Sequence, residues 1–404
     1  MVENKGILVP QVRFKGGEGE WEQRKLGEVA EFNPRSTLPK VFEYVDLESV
    51  VGTTLVSHRT ENKETAPSRA QRLAKDGDVF FQTVRPYQQN NYLFNLGLDN
   101  FVFSTGYAQL RPNIDSLFLL SLLQEKKFVA KVLDNCTGTS YPAINSTTLS
   151  EIEVCVATNT YEQASIGNFF RTLDTALTLH KRKLDGLKEL KKGYLQQMFP
   201  QAGESVPRMR FAGYTDAWEQ RKLFEVTEFY SGLTYSPDDV IESGGTLVLR
   251  SSNVRNGEVV NADNVYVKSD VVNCRNVEVG DVIVVVRNGS RSLIGKHAQI
   301  KTEMRNTVIG AFMAGLRSDQ SEFVNTLLDT PQFDVEITKN LGATINQITT
   351  GAFKQMTFFM PSYTTEQTAI GNFFRTLDNQ ITTQAQKLEQ LKKLKAAYLQ
   401  KMFV

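Results

Sequence analysis

Hydrophobic residues in the stretch 162–200 fall at Ile166, Phe170, Leu173, Leu177, Leu184, Leu187, Tyr194 and Met198, a four-three alternation broken only at His180 and Lys191. This spacing is a heptad seam and predicts one long helix. The pattern returns over 366–404 at Ile370, Phe374, Leu377, Ile381, Leu388, Leu391, Tyr398 and Met402, with Gln384 and Lys395 at the two breaks. The stretches share 23 of 39 residues, and 166–174 recurs unchanged at 370–378, 204 positions on. Neither contains proline before its last residue. At 1.5 Å per residue each helix is about 55 Å long. The two can pair into one rod through Ile166, Phe170, Leu173, Leu177, Leu184 and Leu187 on one side and Ile370, Phe374, Leu377, Ile381, Leu388 and Leu391 on the other; the alternative is that each helix packs only on its own domain. The polar breaks read as devices that fix register.

A period near 200 means duplicated domains rather than a solenoid. Trp21-Glu22-Gln23-Arg24-Lys25-Leu26 returns at 218–223, and Glu28, Val29, Glu31 and Phe32 return as Glu225, Val226, Glu228 and Phe229. Pro10, Arg13 and Phe14 likewise match Pro207, Arg210 and Phe211. Between these repeats the halves diverge over a faint common skeleton. Gly77-Asp78-Val79 leads an apolar strand into Val84-Arg85, and Gly280-Asp281-Val282 leads one into Val286-Arg287. Leu110-Arg111 matches Leu316-Arg317, one amphipathic helix is expected over 116–133 and another over 322–339, and a polar loop (Gly138-Thr139-Ser140; Gly342-Ala343-Thr344) precedes an apolar Ile144 or Ile348. Short strands mixed with short helices predict an α/β globule in each half. The expected division is a polar segment at 1–20, a first domain at 21–160, a helical spacer at 161–200, a linker at 201–217, a second domain at 218–362 and a second spacer at 363–404.

Charge sharpens this picture. The chain carries +1 overall, but residues 1–160 carry −2, 161–210 carry +4, 211–360 carry −4 and 361–404 carry +3. Positive charge therefore sits on the predicted helices, and bulk charge does not announce a nucleic-acid binder. Three distant cysteines, Cys136, Cys155 and Cys274, disfavour a zinc site or a disulfide framework. No apolar signal core or membrane-length run is present, which reads as a cytoplasmic protein.

Catalytic motifs fail one by one. Gly289 to His297 resembles a phosphate loop, but it has one spacer residue too many, His where Ser or Thr is needed, and a strand-like continuation. Asn33-Pro34-Arg35-Ser36 lacks the second proline and the aromatic of an amino-methyltransferase site. His58, His180 and His297 stand alone, without nucleophile or metal-ligand spacing. What stands out instead is loops rich in amides, arginines and hydroxyls. Arginine can bond guanine twice and Asn or Gln can bond adenine twice, although a solvated loop has the same composition. The candidates for base readout are Arg85, Tyr87, Gln88, Asn90, Thr139, Ser140 and Tyr141 in the first half. In the second they are Arg250, Asn253, Arg287, Asn288, Arg291, Ser292, Lys296, Thr344 and Asn346. A further basic stretch, Arg59, Arg69, Arg72 and Lys75, suits phosphate contact or solvent.

The doubled W-E-Q-R-K-L-x-E-V starts, the doubled E-Q-x-x-I-G-N-F-F-R-T-L-D helices ending in Y-L-Q-x-M-F, and the divergent segments between them resemble the specificity subunits of type I restriction-modification systems over essentially the full chain. The resemblance implies two α/β target-recognition domains, each reading one half of an asymmetric bipartite sequence in double-stranded DNA. It implies two helical spacers pairing as an antiparallel coiled coil in a pseudo-two-fold repeat. It further implies modification (methyltransferase) subunits seated on the helices, restriction (endonuclease and translocase) subunits joining them, and no catalytic centre or metal in this chain. S-adenosylmethionine, ATP and magnesium are then expected in the partners. A rod of about 55 Å spans about 16 base pairs, enough to hold two readers a helical turn apart. A coiled-coil scaffold that organises partners without reading DNA is the alternative.

Overall fold

The computed structural model describes residues 8–201, 203–341 and 346–404. The chain divides into two compact units, one made of Met1–Arg182 with Ala385–Val404 and the other of Lys183–Gln384. Each unit therefore contains one globular domain, one part of the first long helix, Thr160–Gln197, and one part of the second, Thr364–Met402.

In the first unit, Glu22–Lys25 pairs antiparallel with Glu153–Val156, tying the start of the domain to its end. An antiparallel sheet has the order Ala30–Phe32, Tyr107–Pro112, Val79–Gln82, Tyr92–Leu93. The central Val-Phe-Phe-Gln strand is buried at all four positions, as expected of an uninterrupted apolar run. A second sheet runs Arg59–Asn62, Val41–Val45, Phe101–Ser104, Ala70–Leu73, with Val41–Val45 and Phe101–Ser104 parallel. The second unit repeats this plan. Glu219–Lys222 pairs with Thr357–Met360, and one sheet runs Glu228–Ser231, Met313–Arg317, Val282–Val285, His297–Gln299. Its other sheet keeps the parallel pair, Thr246–Leu249 with Thr307–Ile309, but adds its extra edge strand, Val240–Ile241, at the opposite edge from Ala70–Leu73.

Each single amphipathic helix expected between strand and spacer is broken in two. Ser116–Leu122 is followed by Lys126–Asp134, whose first turn is capped by the Glu125 carboxylate accepting from Phe128 N–H. Ser321–Leu328 is followed by Pro331–Asn340; Pro331 lacks an N–H and holds Thr330 out of the helical region. The polar loops lead not into strands but into isolated bridges, Val84 with Ala143 and Arg287 with Gln347, and then into the short helices Ser146–Ser150 and Thr350–Gln355.

The residues kept in both halves are those that hold the frame. Asp78, 1% exposed, receives a bidentate pair from Arg111 at 2.9 and 2.8 Å, and Asp281, also 1% exposed, receives one from Arg317 at 2.8 Å for both contacts. Glu162 and Glu366, buried at the start of the long helices, are clasped by Arg13 and Arg210. The glutamine after each glutamate donates to a buried carbonyl, Gln163 to Ala157 and Gln367 to Pro361. Gly167 and Gly371 let the long helix approach a short one: a Cβ on Gly167 would lie 2.6 Å from Leu117 Cβ, and one on Gly371 would lie 2.7 Å from Glu322 Cβ.

Within each unit the two long helices meet and run antiparallel. In the first, Phe169 packs edge-on to Tyr398 and Lys395 pairs with Asp174. In the second, Tyr194 packs on Phe373 and Lys191 reaches Asp378 at 2.6 Å. The far end of each helix completes a domain core: Phe403 lies among Trp21, Phe118 and Phe170, and Phe199 among Trp218, Phe323 and Phe374. Of the seam positions, Ile166, Phe170 and Leu173 join the first core beside Leu399 and Met402, with Leu391 packed against it. Ile370 and Phe374 join the second. Leu184, Leu377 and Leu388 are buried, and Leu177, Leu187 and Ile381 are half-buried.

Candidate nucleic-acid interface

In the first unit, the buried strand Val79–Gln82 delivers the chain into a tight loop. Arg85 adopts a left-handed conformation (φ 54°), begins the 3-10 turn Pro86–Gln88, and is followed by a second left-handed residue, Gln89. Such φ values are uncommon away from glycine and must be held by their surroundings. Arg85 N–H donates to Pro142 O at 2.7 Å, Ile144 N–H donates to Thr83 O, and the Arg85 guanidinium lies 4.3 Å from the Tyr141 ring. The two polar loops are thus brought together, with Tyr87, Thr139, Ser140 and Tyr141 exposed. Gln88 Oε1 accepts from buried Gln82, and Asn90 Oδ1 accepts from Gly52 N–H at 2.8 Å, which ties in the hairpin formed by Val50–Val51 and Thr54–Leu55. Asn90 therefore uses its carbonyl to hold the hairpin.

The second unit builds a loop cluster at the corresponding place from other residues. Asn288 N–H donates to Asn346 O, Asn346 Nδ2 donates to Gly289 O at 2.9 Å, and Asn288 Nδ2 donates to Ser251 Oγ at 2.9 Å. Arg291, Ser292 and Lys296 are exposed around a 3-10 turn, Arg291–Leu293, with Ser290 and Ser292 hydroxyls bonded to each other. His297–Gln299 is then a strand paired with Val282–Val285, so no helix begins here to cradle a phosphate.

Three expectations change. Asn253 is fully buried: its Oδ1 accepts from Arg250 N–H while its Nδ2 donates to Val260 O, Ala262 O and Asn264 Oδ1. It shapes the loop from within and presents nothing to a base. Arg250, beside it, donates to Asp263 O and is half-exposed. Arg85 does not correspond to Arg287. The bonds from Ile144 to Thr83 and from Ile348 to Val286 put Arg85 opposite Asn288 and Arg287 opposite Val84. Since adjacent residues of an extended chain face opposite ways, Arg287 stacks elsewhere, 4.8 Å from Phe312. Thr344 lies outside the described residues. In the basic stretch, Arg59 is spent on Asp46 and Glu61. Phe312, 52% exposed beneath Arg287, and the Gly52 hairpin escaped the sequence reading, because an apolar residue in a strand-rich stretch carries no surface signal.

A family model described as the type I restriction modification DNA specificity domain matches this chain twice, over residues 18–189 and 215–393. The chain belongs to that family. Among curated relatives, this type I specificity chain is 25% identical over 191 residues to the StySPI specificity subunit of Salmonella potsdam, covering 44% of this chain and 39% of the relative. It is 22% identical over 298 residues to the MjaVIII specificity subunit of Methanocaldococcus jannaschii, covering 70% and 68% respectively. The matched region thus spans about two fifths of the length of the first relative and two thirds of the second. The crystal structure of the type I restriction-modification S subunit from M. genitalium shares the fold, with TM-score 0.69 at 15% identity over 98% of this chain and 99% of that one. Among the described residues, no helix is long and apolar enough to cross a membrane, and no group of three His, Cys, Asp or Glu side chains could hold a metal ion.

Proposed function

We propose that this chain is the non-catalytic, sequence-reading subunit of a type I restriction-modification complex acting in the cytoplasm. Each specificity domain reads one half of an asymmetric bipartite target in double-stranded DNA. The long helices act as a ruler between the readers and as a seat for modification (methyltransferase) subunits, with restriction subunits joining the complex. S-adenosylmethionine, ATP and magnesium belong to those partners.

The observation that carries this reading is a contrast inside the chain. The buried frame is the same in both domains, from Asp78 with Arg111 and Asp281 with Arg317 to the two arginine-clasped glutamates. The exposed loops that the frame supports differ in almost every side chain, as two readers of different sequences require. Arg85, Tyr87, Gln88, Tyr141, Arg287, Asn288, Arg291, Ser292 and Lys296 are the proposed contacts, with Thr139, Ser140 and Asn346 supporting them; arginine and amide groups suit purine edges. Each domain is slightly acidic, so partners supply much of the phosphate attraction. The test is methylome sequencing of a host that carries this gene with its modification subunit. A new motif of two defined blocks separated by an unread spacer is expected; unchanged methylation, with no sequence-dependent gel shift of DNA by the co-purified complex, would remove the reading.

A further inference from the structure

Six residues after the exposed Arg291, the recognition loop of the second unit ends on a buried histidine. His297 is 8% exposed, on the strand His297–Gln299, packed edge-on to Phe333. Two acceptors face its ring. Nδ1 lies 3.2 Å from the carbonyl oxygen of Gly295, inside the loop, and Nε2 lies 3.3 Å from Asp329 Oδ1, at the junction of the two short helices. The second contact is an ion-pair contact without hydrogen-bond geometry. Asp329 also accepts from Lys191 at 2.6 Å on the first long helix, and Lys191 in turn reaches Asp378 at 2.6 Å on the second. Asp334, on the helix Pro331–Asn340, is the remaining charged group that senses the ring.

A neutral imidazole has one N–H and cannot offer a proton to both acceptors; the imidazolium has two. With the proton on Nδ1 alone, the Nε2 lone pair confronts the Asp329 carboxylate. With it on Nε2 alone, the Gly295 carbonyl loses its donor. Only the charged ring both donates to the loop carbonyl and places positive charge against the Asp329 carboxylate. Burial works against the cation, but Asp329 and the Gly295 carbonyl outweigh it and hold the pKa above the ordinary histidine value.

The first unit makes the same junction with amides where the second has His297 and Asp329; its carboxylate there, Glu125, is turned to the N–H of Phe128 at the start of the next helix. Strand register places Asn91 where the second unit has His297: Val79 pairs with Leu93 and Phe80 with Tyr92, as Val282 pairs with Gln299 and Ile283 with Ala298. The crossings of Gly167 against Phe118 and Gly371 against Phe323 likewise place Gln124 opposite Asp329. There, Gln124 and Gln89 exchange amide-to-carbonyl bonds at 3.3 and 3.4 Å, and Asn91 N–H donates to Gln89 O.

We propose that His297 is a positioning residue of the second domain, a protonated clip that fastens the recognition loop at Gly295 to the helix junction at Asp329, so that reading by this domain alone weakens when the ring loses its proton. This rests on the reading that the loop touches DNA. The test uses the full chain assembled with its modification subunit and three duplexes: the methylome-defined target, the target with the second half-site scrambled, and the target with the first scrambled. Discrimination is measured from pH 6 to 9. For the native complex, discrimination at the second domain's half-site should fall about tenfold as pH rises, a scale between an exposed and a buried ion pair, while the other half-site stays level. His297→Asn, which installs the first unit's residue, should flatten the profile, and Asp329→Asn should flatten it too. A level native profile overturns the proposal without any variant, and so does a pH response that persists in His297→Asn. Absence of discrimination at every pH would instead indict the DNA-reading assignment itself.

Discussion

At the junction behind the recognition loops, the first unit has Asn91 and Gln124 and the second has His297 and Asp329, yet the carboxylate just before each central strand, Asp78 or Asp281, keeps an arginine partner in both. The contrast separates two kinds of polar residue. A carboxylate that is 1% exposed cannot lose its guanidinium without leaving an uncompensated buried charge, so sequences diverging from a common half retain the pair. The junction behind the loop is solved in two ways, with amides at Asn91 and Gln124 and with charges at His297 and Asp329, and there the halves part. The edge strands behave like the junction: Ala70–Leu73 and Val240–Ile241 extend the same parallel pair from opposite edges.

Breaking the shared frame should hurt both halves equally. Phe403→Ala is expected to destabilise the first unit by about 3–5 kcal/mol and Phe199→Ala the second by the same amount, from lost burial plus a cavity. Urea unfolding followed by tryptophan emission reads them separately, since Trp21 and Trp218 are the only tryptophans and each packs on one of these rings. A Phe403 variant that perturbs Trp218 instead would contradict the assignment of helix ends to cores. The helix pairs come next. Lys191→Met leaves two carboxylates, Asp329 and Asp378, without their ammonium and should cost about 3 kcal/mol. Lys395→Met leaves only Asp174 and should cost about half as much, because that carboxylate can recover some solvent. Equal losses in thermal unfolding would erase the difference between the junctions.

At the loops, Arg287→Ala should weaken target binding by about 1–3 kcal/mol and relax one position of one half-site, and Arg85→Ala should do so in the other half only. Competition binding with single-base variants of each half-site checks this, and a loss spread evenly over all variants would mark either arginine as a phosphate contact.

The smallest effect is on stability against pH. His297 has a raised folded pKa, so its stabilisation is complete below the unfolded value near 6.5 and is lost as pH climbs through the folded value. Asp329 acts in the opposite range: burial raises its pKa, His297 and Lys191 lower it further than that, and the net depression gives stability that is present above the usual carboxylate range and lost on strong acidification. Chemical denaturation at pH 6 and 9 should therefore separate the second unit from the first, and His297→Asn should remove the alkaline decline.

Much of this was legible in the residues. Apolar spacing marked both long helices, and repetition marked Arg13, Glu162, Arg210 and Glu366 as common to both halves, but that they pair in the interior came only from the structure. The break at Pro331 was not foreseen, because the amphipathic pattern runs on through it. That the loop after Val84 meets the loop before Ile144 was not legible. Whether an asparagine turns inward, as Asn253 does, depends on carbonyls at Val260 and Ala262 that no local pattern points to.

The amino-acid sequence by itself determined that the chain is two copies of one plan with different loops, because periodicity and repetition are written along the chain. The tertiary structure alone decided which domain each helix end serves and which buried charges meet. Both depend on side chains far apart in sequence, such as Trp21 with Phe403 and Lys191 with Asp329, whose energies exist only once burial has removed the water between them.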